Sequence, residues 1–231
     1  MDFEELIKEF ISLHKQYAGS YEYFHERAEK SVLRREYAKG GETLHRGFYS
    51  PSALDLVVSG SGRGRLLKRT PKGPFSYEYL FDADSRLVCV NKYSDFIDGV
   101  LRIVNSEYLV YEPNDVLAFT YDLLHGNGLS FISKCKCENS DIVRYETASF
   151  PNPENGDCHE INVEEFGYEN RLMCSDRWSY YFHFLGQDIM HQDEYSFIRD
   201  DDGYVTSFTA RSLNKPDKST YGPYKAYGRR K

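Results

Sequence analysis

FSYEYLFDADSRLVCV, residues 75–90, reads as a β-hairpin. Phe75, Tyr77, Tyr79 and Phe81 alternate with Ser76, Glu78 and Asp82, the period of two that a pleated strand imposes on its faces. DADS supplies the small and acidic residues that a tight turn tolerates. RLVCV then returns as an aliphatic strand.

The same grammar runs on in both directions. From Arg65 onward, short apolar runs alternate with turn residues at fairly even spacing, as in an antiparallel β domain. VLRIV-NS-EYLVY (100–111) reads as a tight hairpin about Asn105-Ser106. Leu129, Phe131, Cys135 and Cys137 fall on one face, with Ser130, Lys134 and Lys136 on the other. Ile161 and Val163 alternate with Glu160, Asn162 and Glu164. YSFI and YVTSF are joined across RDDDG. FPNPENGD (150–157), with two prolines and a glycine, is the clearest internal loop.

The N-terminal part differs in period. Phe3, Leu6, Ile7, Phe10, Leu13 and Tyr17 recur at helical spacing, and Asp2 with Glu5 has the form of a capping box. A second helix is expected over 21–38, with Phe24, Ala28, Val32 and Tyr37 on one face and Gly40-Gly41 as its stop. Ser50-Pro51 has the form of a helix start, so LDLVVSG is read as a short helix or a strand. The expected fold is α+β: mainly β, with one or two N-terminal helices, and an antiparallel meander of β-hairpins. It forms a single domain over 1–213, with a helical segment at 2–38, a hairpin body at 65–210 and a basic tail at 214–231.

Composition bounds the function. The 231 residues are 40% hydrophobic and 16% aromatic, enough for a packed core. Tyr 20 and Phe 15 stand against Trp 1, and tyrosine suits half-buried pleated surfaces. Net charge is -7. From Asn214 on, six basic residues face only Asp217, so the preceding 213 residues carry 23 basic and 35 acidic groups, a net -12. That acidic body lacks the basic footprint of a nucleic-acid binder. It suits either plain solubility or a basic protein partner. No stretch approaches the roughly 20 apolar residues of a membrane helix. The acidic, amphipathic MDFEELIKEF is unlike a secretory signal. Five cysteines, an odd number, are expected as reduced thiols of a cytoplasmic protein.

Four segments resemble one another: YEYLFDADSRL (77–87), FTYDLLHGNGLSF (119–131), EEFGYENRL (164–172) and YSFIRDDDGYV (195–205). Each pairs an aromatic strand end with a polar turn and an aliphatic return. Their spacing is too irregular for a solenoid or propeller. The first and third resemble the tyrosine-aspartate repeats of bacterial Rhs-type toxin proteins, and the chain resembles the small cytosolic immunity proteins encoded near such toxins. Ser85 stands where the repeat prefers glycine, and the third copy lacks the usual aspartate. The resemblance implies a toxin inhibitor that binds and neutralises a toxin domain by masking its active site or substrate surface. Its partner would be that protein domain, of basic character, with no nucleic acid, membrane or cofactor.

Motifs for chemistry are sparse. Cys135, Cys137, Cys158-His159 and Cys174 lack the paired spacing of a zinc site. SGSGRGR (59–65) lacks the Gly-Lys-Ser/Thr of a phosphate loop, and no nucleophile elbow occurs. No catalytic or metal-binding residue is assigned. His183 and His191 flank GQDIM, with Asp188, Asp193 and Glu194 nearby, so a small His/carboxylate enzyme is one alternative. A structural or carbohydrate-binding module is another, although only Trp178 offers the usual stacking residue. The expected partner-binding residues are the turn carboxylates Asp82, Asp84, Glu164, Glu165, Asp200, Asp201 and Asp202, with Tyr168, Tyr180 and Tyr195 as aromatic anchors. Glu112 and Asp115 also stand near a turn, and hairpins lying side by side would bring several of these carboxylates to one edge.

Overall fold

The computed structural model describes residues 2–39, 45, 50–52, 64–70, 73–94, 99–139, 141–170, 172–184, 187–199, 205–214 and 218–221. Two helices, α1 (Phe3–Tyr17) and α2 (Tyr21–Ser31), precede thirteen described strands. These are β1 (Arg34–Lys39), β2 (Arg65–Leu67), β3 (Ser76–Phe81), β4 (Leu87–Ser94), β5 (Arg102–Tyr111), β6 (Asp115–Asp122) and β7 (Gly128–Glu138). They continue with β8 (Asp141–Ser149), β9 (Glu160–Glu169), β10 (Leu172–Phe184), β11 (Gln187–Arg199), β12 (Val205–Ser212) and β13 (Lys218–Tyr221). All join one antiparallel sheet, ordered β13 back to β3 in sequence and closed at the far side by β1 and then β2. The mainly β, α+β meander expected from the sequence is the observed fold. β13 carries the sheet past Leu213 by pairing with β12.

Both helices lie on one face. Asp2 caps α1 by accepting the Glu4 and Glu5 amides, which satisfies two of the otherwise orphaned N–H groups. Phe3, Leu6 and Phe10 of α1 and Phe24 and Ala28 of α2 then pack on Leu80, Tyr108, Phe119, Tyr121, Leu129, Ile132, Ile161, Val163 and Tyr181. Aromatic rings fill this layer, with Phe24 stacked on Phe119 at 5.4 Å and Tyr17 tilted against Phe119 at 4.5 Å. Each fully buried ring contributes about 1.5–3 kcal/mol of transfer free energy. Tyr121 stays compatible with burial because its hydroxyl donates to the Tyr17 carbonyl at 2.7 Å.

The reverse face holds smaller clusters: Ala38, Tyr79, Phe81, Leu87, Val90, Leu109 and Ala118, then Cys135, Tyr145 and Phe166, then Phe197 and Phe208. His45 lies edge-on to Tyr79 and Phe81 on this side, at 4.8 and 5.1 Å.

Three local expectations are corrected. The helical reading of 21–38 ends at Ser31, and Arg34–Lys39 pairs with β3. Tyr37 is therefore a strand residue opposite Glu78. Residues 102–111 are one continuous strand and not a hairpin. Ser106 is buried there and donates to the Asn91 side chain at 2.7 Å. Leu129 and Cys135 lie on opposite faces, because the register shifts between Thr120 and Tyr121. A bulge at Ser130 reverses the alternation, placing Leu129 under the helices and Cys135 on the reverse face. The LDLVVSG segment lies outside the described residues.

Candidate functional site

Antiparallel pairing of every neighbour sends alternate turns to opposite ends of the sheet. The ends of β3, β5, β7 and β9 therefore share one rim with the starts of β4, β6, β8 and β10. That rim carries Asp82, Asp84, Glu112, Asp115, Glu138, Asp141 and Glu169. Asp200, Asp201 and Asp202 lie outside the described residues.

The rim carboxylates are not equivalent. Asp82 organises its turn: it accepts the Asp84 and Arg86 amides at 2.9 Å each and pairs with the Arg86 guanidinium. Burial works against its charge, but these bonds outweigh it and hold the pKa below the usual value. Asp84 is exposed and shares Arg86 at 2.9 Å. Glu138 lies 3.6 Å from Lys136. Glu112, Asp141 and Glu169 make no ion pair among the described residues. With Asp115, half-buried and likewise without an ion pair among the described residues, they are the carboxylates left available to an incoming cation.

The other expected anchors separate. Glu164 and Glu165 are neighbours on β9, so they point to opposite faces. Glu164 is buried on the reverse face between Tyr145 and Trp178. Glu165 joins a charge ladder on the helix face, running Arg144, Glu165, Arg177, Glu194, Arg211 across β8 to β12. Arg144 donates to Glu165 at 2.9 Å and Arg211 to Glu194 at 2.5 Å. Tyr168 is a structural pin. Its hydroxyl donates to the Ile142 carbonyl at 2.7 Å, and burial pushes its pKa up to about 12. Tyr195 donates to Asp193 at 3.1 Å and packs edge-on to Phe208.

Tyr180 sits between Trp178 and Phe182 on the reverse face of β10, at 5.4 and 6.1 Å and within 25° of parallel. Those are offset-stack separations. The rings turn their faces on one another, which takes up the surface a sugar ring would use. Trp178 further donates to Asn162 at 3.1 Å.

The structure brings His183 and Asp188 together at 2.7 Å, and Tyr181 donates to the same carboxylate oxygen at 2.8 Å. Hydrogen bonds from His183 and Tyr181 hold Asp188 below the usual carboxylate range. Both members of the pair are exposed, at the far end of the β10–β11 hairpin. His191 lies on the other face, opposite Tyr180, and pairs with Asp193 at 3.0 Å. The described residues of this segment thus split over two faces. Among the described residues, no cluster of three metal-ligating side chains forms. The cysteines are unpaired thiols; burial pushes Cys158 up to about 11 and Cys135 higher still. No described helix is long and apolar enough to cross a membrane.

A cleft of about 460 Å³ opens between the first turns of α1 and the charge ladder. Asp2, Glu5 and Glu9 line one wall; Arg144, Glu165, Arg177, Ser179 and Gln192 line the other. Sequence reading missed it, because its walls lie more than a hundred residues apart.

No family model matches the chain, and no curated protein does. A crystal structure of a protein of unknown function from Bacteroides fragilis aligns with 46% of this chain and 81% of its own, at 17% identity and a TM-score of 0.33.

Proposed function

We propose that this chain is a bacterial immunity-type inhibitor, acting in the cytoplasm, that binds and neutralises a basic toxin domain by covering its active site or substrate surface. The observation that supports this reading is the gathering of turn carboxylates on one rim, with Glu112, Asp141 and Glu169 unpaired among the described residues. A row of fixed negative charge accelerates encounter with a cationic cleft and rejects acidic partners. The rim is built at strand ends of one hydrogen-bonded sheet, so the backbone positions that carry its charges are set by strand pairing before the partner arrives.

The reading is tested by co-expression in a bacterial host. Each open reading frame beside the gene for this chain is expressed alone and together with it. The expected result is one product that arrests growth alone and is tolerated with the chain, and that co-purifies with it. If no neighbouring product is toxic, or if the toxic one acts equally with and without the chain, the proposal is wrong.

A further inference from the structure

The cleft between α1 and the sheet contains six charged residues, and most of their hydrogen-bonding capacity is already used. Asp2 accepts the helix-cap bonds. Glu9 receives Lys134 at 2.9 Å. Arg144 donates to Glu146 at 2.6 Å and to Glu165 at 2.9 Å. The cap uses only Oδ1 of Asp2, which has no ion pair among the described residues, so Asp2 and Glu5 on the α1 wall and Arg177 on the facing wall remain. The Arg177 guanidinium stands 4.0 Å from Glu165 and 3.8 Å from Glu194. Both separations are beyond hydrogen-bonding range, because Arg144 and Arg211 hold those carboxylates closely. Its donor fork is therefore unspent, and the group is half exposed. On the facing wall, the Glu5 carboxylate has no ion pair among the described residues. The same cleft is lined by neutral hydrogen-bonding groups, the Ser179 hydroxyl and the Gln192 amide, linked at 3.1 Å.

We infer that this cleft binds a small zwitterion: a carboxylate on Arg177, and an ammonium group on Glu5. The guanidinium fork matches a carboxylate in bidentate fashion. An anion alone would meet the acidic α1 wall, and a cation alone would meet Arg177. Only a ligand carrying both charges satisfies both sides. The volume is within the range of small-molecule sites. This inference does not rest on the toxin-inhibitor reading, since the rim and the cleft are separate surfaces.

The test is titration of the full chain, followed by calorimetry and by amide chemical shifts near Ser179 and Gln192. The probes are glycine, β-alanine and γ-aminobutyrate, which vary the spacing between amine and carboxylate. Acetate and methylamine carry one charge each and serve as controls. At least one amino acid is expected to give saturable binding, at least about tenfold tighter than either control. Glu5→Gln and Arg177→Gln should each weaken it by about tenfold or more. Both residues are exposed, and circular dichroism checks that both variants fold. The inference is overturned if no amino acid saturates the site, if acetate binds equally well, or if either variant leaves the affinity unchanged.

Discussion

His14 shows how one buried side chain ties separate parts of the chain together. It is 3% exposed on α1, its ring Nε2 bonds the Leu129 carbonyl at 3.0 Å, and Phe150 packs on it at 4.3 Å. Burial lowers its pKa below 6.5, and the Leu129 bond only partly offsets this. The neutral ring is thus the folded form. Its contribution is complete above the unfolded value and is lost as pH falls, because the unfolded chain takes up the proton more readily. His45 is shifted the same way, by burial and then by Arg34. The melting temperature should fall between about pH 7.5 and pH 5, and His14→Gln, which keeps a donor for Leu129, should flatten that slope. Equal slopes would show that the ring is not desolvated. Gly156 is bound to the same site. Its φ is +67°, and an added Cβ would lie 3.1 Å from the His14 ring. Gly156→Ala is expected to destabilise by about 1–2 kcal/mol in chemical denaturation, from the left-handed backbone alone, with the contact adding to it.

The elements differ in how plainly the sequence announces them. α1 was legible because its cap and its period agree. The β3–β4 turn was legible because Asp82 does what a turn aspartate does locally. β1 was not, since Val32 and Tyr37 happen to continue the helical stripe of α2 and no glycine or proline marks the break. What ends the helix is long-range: Arg34–Lys39 pairs with β3, and Arg35 reaches Glu78 at 2.8 Å. β5 misled for a related reason. Asn105-Ser106 looks like a turn, but the buried Ser106, Asn91 and Glu78 form a polar network, closed at the surface by Arg35, that makes polar residues acceptable inside the sheet. Burial opposes charge on Glu78, yet bonds from Asn91, Arg35 and Tyr93 keep it below the ordinary value. Removing α1's anchor tests the element as a whole. Phe10 is fully buried, and Phe10→Ala should cost about 3–5 kcal/mol by denaturant unfolding. A cost under about 1 kcal/mol would mean that α1 is not integral to the core.

At the scale of the molecule, the meander converts an irregular sequence repeat into a regular placement of charge. The four repeat-like segments have uneven spacing, yet antiparallel pairing sends the first and third, at 82–86 and 170, to one rim and the second, at 123–127, to the other. The expected convergence of acidic turns was therefore readable for Asp82 and Asp84, and for Glu112 and Asp115, once alternation was assumed. Strand parity separates Glu164 from Glu165, but the partners that bury Glu164 and engage Glu165, Tyr168 and Tyr195 are set by cross-strand pairing, which parity alone does not reveal. The cleft depended on a contact between α1 and strands that follow it by more than a hundred residues. Glu112, Asp141 and Glu169 are the exposed or half-exposed carboxylates that carry the proposed recognition. The decisive measurement is titration calorimetry of the toxin domain identified by co-expression, against the native chain and the triple variant Glu112→Lys, Asp141→Lys, Glu169→Lys. The native chain should bind with an affinity that falls as salt rises, and the variant should bind about a hundredfold more weakly. Equal affinity of the two chains, or native binding indifferent to salt, would contradict recognition through the acidic rim.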